Sequence, residues 1–406
     1  MEMLSSSEAA RDWLTRFSDE ERETAVSLID EVLLVSASEF FQSIASSIDE
    51  ILDRGEANRP LALYAEREVE CRDGQVQPIF AGARHGRAVG AGPTPILFDP
   101  DRPAVGSEGI VANLITNLCR HYRGSALDHP GPDELRRRRA GPIIVITDFI
   151  GSGKRIWQML EAFRGVATVR SWRSFQYIDF YVVAYSGTEG GIQRVKTNRL
   201  RPEVITVAGC PTIRSVFSRS SRTGVNQLCK KYPPNHQFPL GYGSVGALIA
   251  FEHGVPNNAP PLLHSGRGQW TPLFTGRSTL GAIREFPGTN NEDIAIRAKR
   301  FLKLRNAEDY LETSLGARWI ETMLVLAAIG AGARTLDQIS ARTHLRLEVV
   351  KEIVEHTEIA KWTTREVNLT ALGRAELQRL RNRRARSPVV LQGEKIVYYP
   401  TQLRAR

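Results

Sequence analysis

Residues Ile143 to Arg155, IIVITDFIGSGKR, constrain the fold more than any other stretch of the chain. Ile143, Ile144, Val145 and Ile146 are all β-branched and follow the breaker pair Gly141-Pro142, which predicts a short strand buried on both faces. Gly151-Ser152-Gly153 then supplies a tight turn with almost no Cβ atoms. Beyond it, Ile156, Met159, Leu160 and Phe163 recur at helical spacing from Lys154 onward. The stretch therefore reads as strand, glycine turn and helix N-terminus.

Such a junction is a natural anion site. The free amides of the turn and of the first helical turn converge, and the helix dipole favours negative charge at the same point. Asp148 stands at the carboxyl end of the strand, where open α/β sheets hold ligands, and its carboxylate can accept hydrogen bonds from a ribose diol. A Walker-type P-loop is excluded, because GxxxxGK[ST] requires Gly where Asp148 stands and Ser or Thr where Arg155 stands. The plain alternative is a strand-loop-helix crossover that binds nothing.

The stretch resembles the phosphoribosyl diphosphate loop of type I phosphoribosyltransferases, in which a hydrophobic strand ends in two acidic residues followed by a Thr/Ser-Gly turn. Asp148 takes the second acidic position and Gly151, Ser152 and Gly153 the phosphate turn, with Lys154 beside it. Thr147 replaces the first acid, and Arg155 replaces the usual hydroxyl residue at the end of the loop. The resemblance implies a ribose 5-phosphate, phosphoribosyl diphosphate or nucleotide ligand, with Mg2+ accompanying a diphosphate. The two departures favour binding over turnover.

With 406 residues, 42 % of them hydrophobic, the chain has material for two or three domains. No apolar run approaches the roughly 18 residues of a membrane helix, and MEMLSSSEAARDW lacks a targeting pattern, so a cytoplasmic protein without membrane contact is expected. Cys71, Cys119, Cys210 and Cys229 show no CxxC spacing, which argues against a disulfide framework and a zinc site. The formal charge of +9 is compatible with a polyanionic partner once the excess is located.

In chain order, residues 1–59 read as a helical lead-in. Ala25, Leu28, Ile29, Val32 and Leu33 form one stripe, and Ser36 with Glu39 makes a capping box ahead of Phe40, Phe41, Ile44, Ile48 and Leu52. Two antiparallel helices that carry no chemistry are expected there. Residues 60–304 form the α/β domain. Short strands and loops are expected from Pro60 to Asp101, including Gln77–Phe80 and Pro95–Phe98. Gly106-Ser107-Glu108-Gly109 opens a helix, making Ser107 either an N-cap or part of a second anion site. Arg136 to Arg139 is either a phosphate clamp or a solvated basic face. Strands at Tyr177–Tyr185, Val204–Ala208 and Leu248–Phe251 alternate with helices, which implies a mostly parallel sheet with helices on both faces. Glu252, His253, Asn257 and Asn258 leave the last of these strands together, where a ligand-binding loop or an ordinary turn belongs.

The set SEG, DFIGSGKRI, RSWRSF, CPTI, FEHGVPNN and WTPLFTGR resembles the phosphoribosyltransferase-like family of bacterial conflict systems, including effectors encoded beside some retrons. The likeness runs from about Pro60 to Arg277. It implies a type I phosphoribosyltransferase-like core and a role in anti-phage defence, with a protein partner that restrains the effector.

Residues 305–386 have the order of a winged helix-turn-helix and resemble that superfamily by pattern. Trp319, Met323, Leu326 and Ile329 stripe a first helix and Leu336 and Ile339 a second; Leu347, Val350, Ile353 and Val354 stripe a third. A ribbon at Ala360–Leu369 and a helix at Leu372–Leu380 follow. The third helix carries Glu348, Glu352 and Glu355, which oppose phosphates. Lys361, Arg365, Arg374, Arg379, Arg381, Arg383, Arg384 and Arg386 make the wing flank basic and suited to backbone contact. Residues 387–406 form a tail.

Three functions are compatible with this pattern. The first is an enzyme-like effector that binds a phosphoribosyl group at Asp148 and acts at the anomeric carbon through an oxocarbenium-like state, with Glu252 or His253 moving a proton. The second is a ligand sensor of purine-repressor type, which does not turn its ligand over. The third is an assembly component that grips a nucleic-acid complex, such as the RNA–DNA of a reverse transcriptase, through its basic C-terminal region.

Overall fold

The computed structural model describes residues 3–54, 59–80, 87–94, 107–283, 291–302, 304, 311 and 314–382; for 291–293, 300, 314, 315, 381 and 382 it describes only the backbone. Helices α1 (Glu8–Leu14) and α2 (Asp19–Ile29) open the chain, each started by a serine whose hydroxyl accepts a first-turn amide. A short strand β1 (Leu33–Val35) and helix α3 (Ala37–Asp53) follow. Strand β1 was not expected. It pairs in parallel with β9 near residue 250, because LLV is buried by the apolar sides of α2 and α3. The lead-in is thus built into the core domain.

Strand β2 (Leu61–Ala65) is buried throughout, and the small hairpin β3 (Cys71–Arg72) and β4 (Gln75–Val76) follows. Gln77–Phe80 forms no strand, and Pro95–Phe98 lies outside the described residues. Next come α4 (Ser107–His121), β5 (Ala126–Asp128), α5 (Pro132–Arg138) and β6 (Ile143–Ile150), then α6 (Lys154–Arg164) and α7 (Ala167–Ser174). Strand β7 (Phe180–Gly187) starts later than expected, because Tyr177 lies at the surface. Helix α8 (Glu189–Lys196) is capped by Thr188, and β8 (Glu203–Gly209) completes the main sheet. Short α9 (Ile213–Val216), α10 (Arg219–Lys231), β9 (Ile249–Phe251) and short α11 (Pro261–His264) close the core domain.

All neighbours in the five-stranded sheet are parallel, and their spatial order is β5-β2-β6-β7-β8. Taken in chain order, this is the 2-1-3-4-5 arrangement of a doubly wound sheet, whose winding reverses between β2 and β6. The uninterrupted β-branched run of β6 follows from this burial. Ile144 and Ile146 face a core built with Phe40, Ile44 and Ile48 of α3 and Ile115 of α4. Ile143 and Val145 face the opposite core, built with Met159, Leu160 and Phe163 of α6 and Val195 of α8.

The C-terminal unit contains α12 (Asn291–Leu302), α13 (Ser314–Gly330), α14 (Leu336–Thr343), α15 (Leu347–Ile359) and α16 (Ala371–Asn382). Helix α12, upstream of the boundary expected at residue 305, shares a core with α13 and Trp362. His344 in the left-handed conformation ends α14 and makes the turn of the helix-turn-helix. The wing is reduced to a single antiparallel bridge between Thr363 and Leu369. It is anchored by the fully buried Trp362, whose carbonyl accepts the Thr370 amide.

This unit sits on the edge strand β8. The Gly209 amide donates to Ser340 Oγ at 2.9 Å, and Arg342 Nε donates to the Ser215 carbonyl at 2.8 Å. A Cβ on Gly209 would lie 2.2 Å from the Asp337 carbonyl oxygen, so only glycine permits this approach. The unpaired edge of the sheet is covered in this way, and the turn of the helix-turn-helix faces the core domain.

Candidate functional site

The winding reversal opens a crevice at the carboxyl ends of β2 and β6, the place where sheets of this order hold ligands. Residues of both strands meet there. In register, Ala65 lies beside Ile146, which places Glu66 next to Thr147 and Asp148.

The phosphate turn is held from behind. Gly151 abuts the buried Asn258, whose carboxamide oxygen would stand 2.0 Å from any Cβ at that position. Asn258 Nδ2 donates to the Tyr242 carbonyl at 2.9 Å, and the Asn257 carbonyl accepts the Tyr242 amide. Thr188 Oγ1 donates to the Gly151 carbonyl at 2.6 Å, and Arg194 donates to the Ser152 carbonyl at 2.8 Å. Gly153 has a φ of 68° and packs on the Gly191 carbonyl, so both features of its position require glycine. The Gly151 and Ser152 carbonyls are thereby engaged by Thr188 and Arg194, and at the start of α6 the Lys154 amide donates to Ser152 Oγ at 3.4 Å. The Arg155 and Ile156 amides follow in the first turn of α6, and Lys154 is exposed.

Asp148 is nearly buried and pairs with His253, with Oδ2 and Nε2 3.1 Å apart. His253 stacks on Phe251 and lies against Phe40, so its ring has little freedom. Glu252 points elsewhere: its Oε2 accepts the Ala37 amide at 2.7 Å and caps α3. Of the two proton carriers expected from the sequence, only His253 meets Asp148.

Glu66 is a candidate site residue that the sequence reading missed. Its Oε2 accepts a hydrogen bond from Thr147 Oγ1 at 2.7 Å, and its Oε1 lies 3.5 Å from Arg155 Nε. Burial pushes its carboxyl above the usual carboxylate range, against the opposing pull of Arg155 and Thr147. The first acid of the expected motif is thus absent from β6, but a carboxylate from β2 stands one hydroxyl away. The available signal was positional, since Glu66 follows the apolar run LALYA much as Asp148 follows IIVIT.

Arg155 also pairs with Glu108, which follows Ser107 in the first turn of α4. Burial works against its charge, but Glu66 and Glu108 more than offset that and hold its pKa above the ordinary value. Glu108, Arg155 and Glu66 therefore meet in one cluster, with Ser107 only the first residue of α4 next to it in sequence. Among the described residues no group of three or more His, Cys, Asp or Glu side chains forms a metal cage.

The first turn of α3 links the crevice to the C-terminal unit. Glu39 does not close the expected capping box; Ser36 accepts the Glu39 amide, and the carboxylate turns away. It accepts the Tyr185 hydroxyl at 2.8 Å and lies 3.7 Å from Arg346 Nε, at the start of α15. The remaining surface of α15 exposes Glu348, Glu352, Glu355 and Glu358 against Lys351, which disfavours insertion into a nucleic-acid groove. On the wing flank Lys361, Arg365 and Arg374 are exposed, while Arg379 pairs with Glu376. The Arg381 side chain, Arg383, Arg384 and Arg386 lie outside the described residues.

Arg136–Arg139 does not reach the phosphate turn. Arg136 pairs with Asp133, Arg137 with Glu134, and Arg138 donates to the Gly124 carbonyl, all within or beside α5. No helix among the described residues is long and apolar enough to cross a membrane.

A family model described as PRTase-CE matches residues 10–275, and one described as wHTH-PRTase associated matches residues 323–405. No curated protein and no solved structure matches the chain significantly.

Proposed function

The chain belongs to the PRTase-CE family, and on that premise we propose that the crevice between β2 and β6 binds a ribose 5-phosphate group, as phosphoribosyl diphosphate or a nucleotide. One observation carries the reading. The N-terminus of α6 stands behind a turn whose Gly151 and Ser152 carbonyls are already engaged, with the Asp148 carboxylate at its mouth. The amides of α6, with Lys154, take the phosphate, and Asp148 takes the ribose diol. A Mg2+ ion brought by a diphosphate would neutralise charge on the leaving group.

The chain's own residues can also support chemistry at the anomeric carbon. His253 fixes the orientation of Asp148 and can carry a proton to or from the base or the attacking group. Glu66 accepts from Thr147 and pairs with Arg155, which holds both beside Asp148 at the crevice. An oxocarbenium-like state would be stabilised by Asp148 beneath the ring. The biological role that fits the family resemblance is an effector of anti-phage defence, possessing nucleotide or N-glycosidic chemistry and checked by a partner.

A second reading, a ligand sensor without turnover, is favoured by Thr147 in place of an acid and by the Arg346–Glu39–Tyr185 link between the two units. Under it, Lys361, Arg365 and Arg374 contact a nucleic-acid backbone and ligand binding alters how the winged unit docks. Expression of wild type and Asp148→Asn in cells, with nucleotide pools followed by mass spectrometry, separates the two. Depletion or modification of a nucleotide by wild type alone supports the effector. Unchanged pools in both, with ligand binding retained by wild type, support the sensor.

A further inference from the structure

The strands of the main sheet are parallel, so their first residues share one edge, opposite the crevice. Strand β6 alone separates the two edges by about 26 Å. Single exposed apolar side chains are ordinary, but here two aromatic ones meet as a pair. Phe175, at the end of α7, and Tyr177, just before β7, are 67 % and 55 % exposed. Their rings stack on each other at 5.8 Å with an interplanar angle of 22°.

Around this pair the edge is basic. Arg59 precedes β2, Arg139 precedes β6 and Arg201 precedes β8; all three are exposed. Arg59 donates to the Tyr177 carbonyl at 2.9 Å, and its stem lies against Gly141 at the start of β6, which joins these segments into one surface. None of the three forms an ion pair with a described carboxylate, unlike Arg173, whose charge is met by Asp179. Adjacent strands are about 4.8 Å apart, so the row from β2 to β8 spans about 15 Å, room for a short run of an extended single strand.

We propose that this edge, with Phe175 and Tyr177 as a stacking platform and Arg59, Arg139 and Arg201 as phosphate contacts, binds single-stranded nucleic acid. The aromatic pair offers π-faces to unpaired bases, which a duplex does not present, and arginines without carboxylate partners favour a polyanion over an ordinary protein surface. The surface is independent of the crevice and leaves its mouth free. It also accounts for part of the +9 charge that neither the crevice nor the acidic face of α15 uses.

The test is fluorescence anisotropy of the full chain with a labelled thymidine 20-mer and the matching duplex, across a salt series. The variants are the double Phe175→Ala/Tyr177→Ala, the double Arg139→Ala/Arg201→Ala, and Lys361→Ala/Arg365→Ala on the wing, each checked for fold by circular dichroism. The aromatic double variant is expected to lose on the order of tenfold or more in affinity for the single strand with its salt slope intact. The arginine double variant is expected to lower that slope by about 0.7 for each charge removed. The wing variant is expected to leave the single-strand preference in place. Unchanged single-strand affinity in the aromatic double variant, or no binding by wild type, overturns the proposal. A change in self-association by sedimentation, without a change in oligonucleotide affinity, would assign the rings to a protein interface instead.

Discussion

Gly209→Ala tests the seam between the sheet and the winged unit. The new Cβ would stand 2.2 Å from the Asp337 carbonyl oxygen and 3.1 Å from the Ala341 amide nitrogen, both backbone atoms of α14. Backbone cannot rotate aside, so α14 must retreat by about 1 Å to restore ordinary contact. The retreat breaks the Gly209–Ser340 hydrogen bond, with a net loss of about 1 kcal/mol. Overpacking adds ~1–3 kcal/mol. Docking should weaken by about 2–4 kcal/mol in all, while the crevice side chains keep their partners. Hydrogen exchange read by mass spectrometry should then show amides of 203–209 and 336–343 exchanging roughly 30- to 900-fold faster wherever undocking limits their exchange. The core strands β2 and β6 should keep their protection. Wild-type exchange in both segments of the variant would refute the view that Gly209 holds the seam.

Glu66→Gln keeps an acceptor for Thr147 but removes a buried charge. Because burial raises the folded-state pKa of Glu66, its ionisation opposes folding: the wild type loses this stability as pH rises from the unfolded carboxyl range through the raised folded value. The melting temperature of Glu66→Gln relative to wild type should therefore rise with pH across the acidic range and level off above it, whereas a difference constant with pH would contradict the assignment. Thiol labelling of the native chain should find Cys71 fast, because it is exposed, and Cys229 slow, because burial pushes its thiol up to about 12. Equal rates for the two would contradict the burial of α10 against the core.

The β6–α6 junction was legible because every local signal agreed: a β-branched run, a glycine turn and a helical stripe all specify one geometry. The order of helices in the winged unit was legible for the same reason. Strand β1 was not, since LLV following an apolar helix stripe has no period of its own and becomes a strand only by pairing with Ile249–Phe251. Helix α12 carries Ile294, Ala298, Phe301 and Leu302 at helical spacing and could have been found, although its partner α13 lies beyond a long interval. Glu66 was missed, and Glu39 was read as a capping-box residue, because their partners, Thr147, Arg155, Tyr185 and Arg346, are distant in sequence and adjacent only in the fold. Glu252 shows the converse: a carboxylate at the right strand end is directed by the fold to cap α3.

The most direct measurement is calorimetric titration of phosphoribosyl diphosphate, with Mg2+ present, into wild type and Asp148→Asn. Asn preserves the size of Asp148 and removes the charge that faces His253 and, in the proposed complex, the diol. The expected result is one site per chain in wild type, with affinity lowered by about tenfold or more in the variant, the loss of a charged hydrogen bond of about 1.5–3 kcal/mol. Equal binding by both proteins, or no heat with wild type while the protein is folded, would contradict a phosphoribosyl site at the β2–β6 crevice.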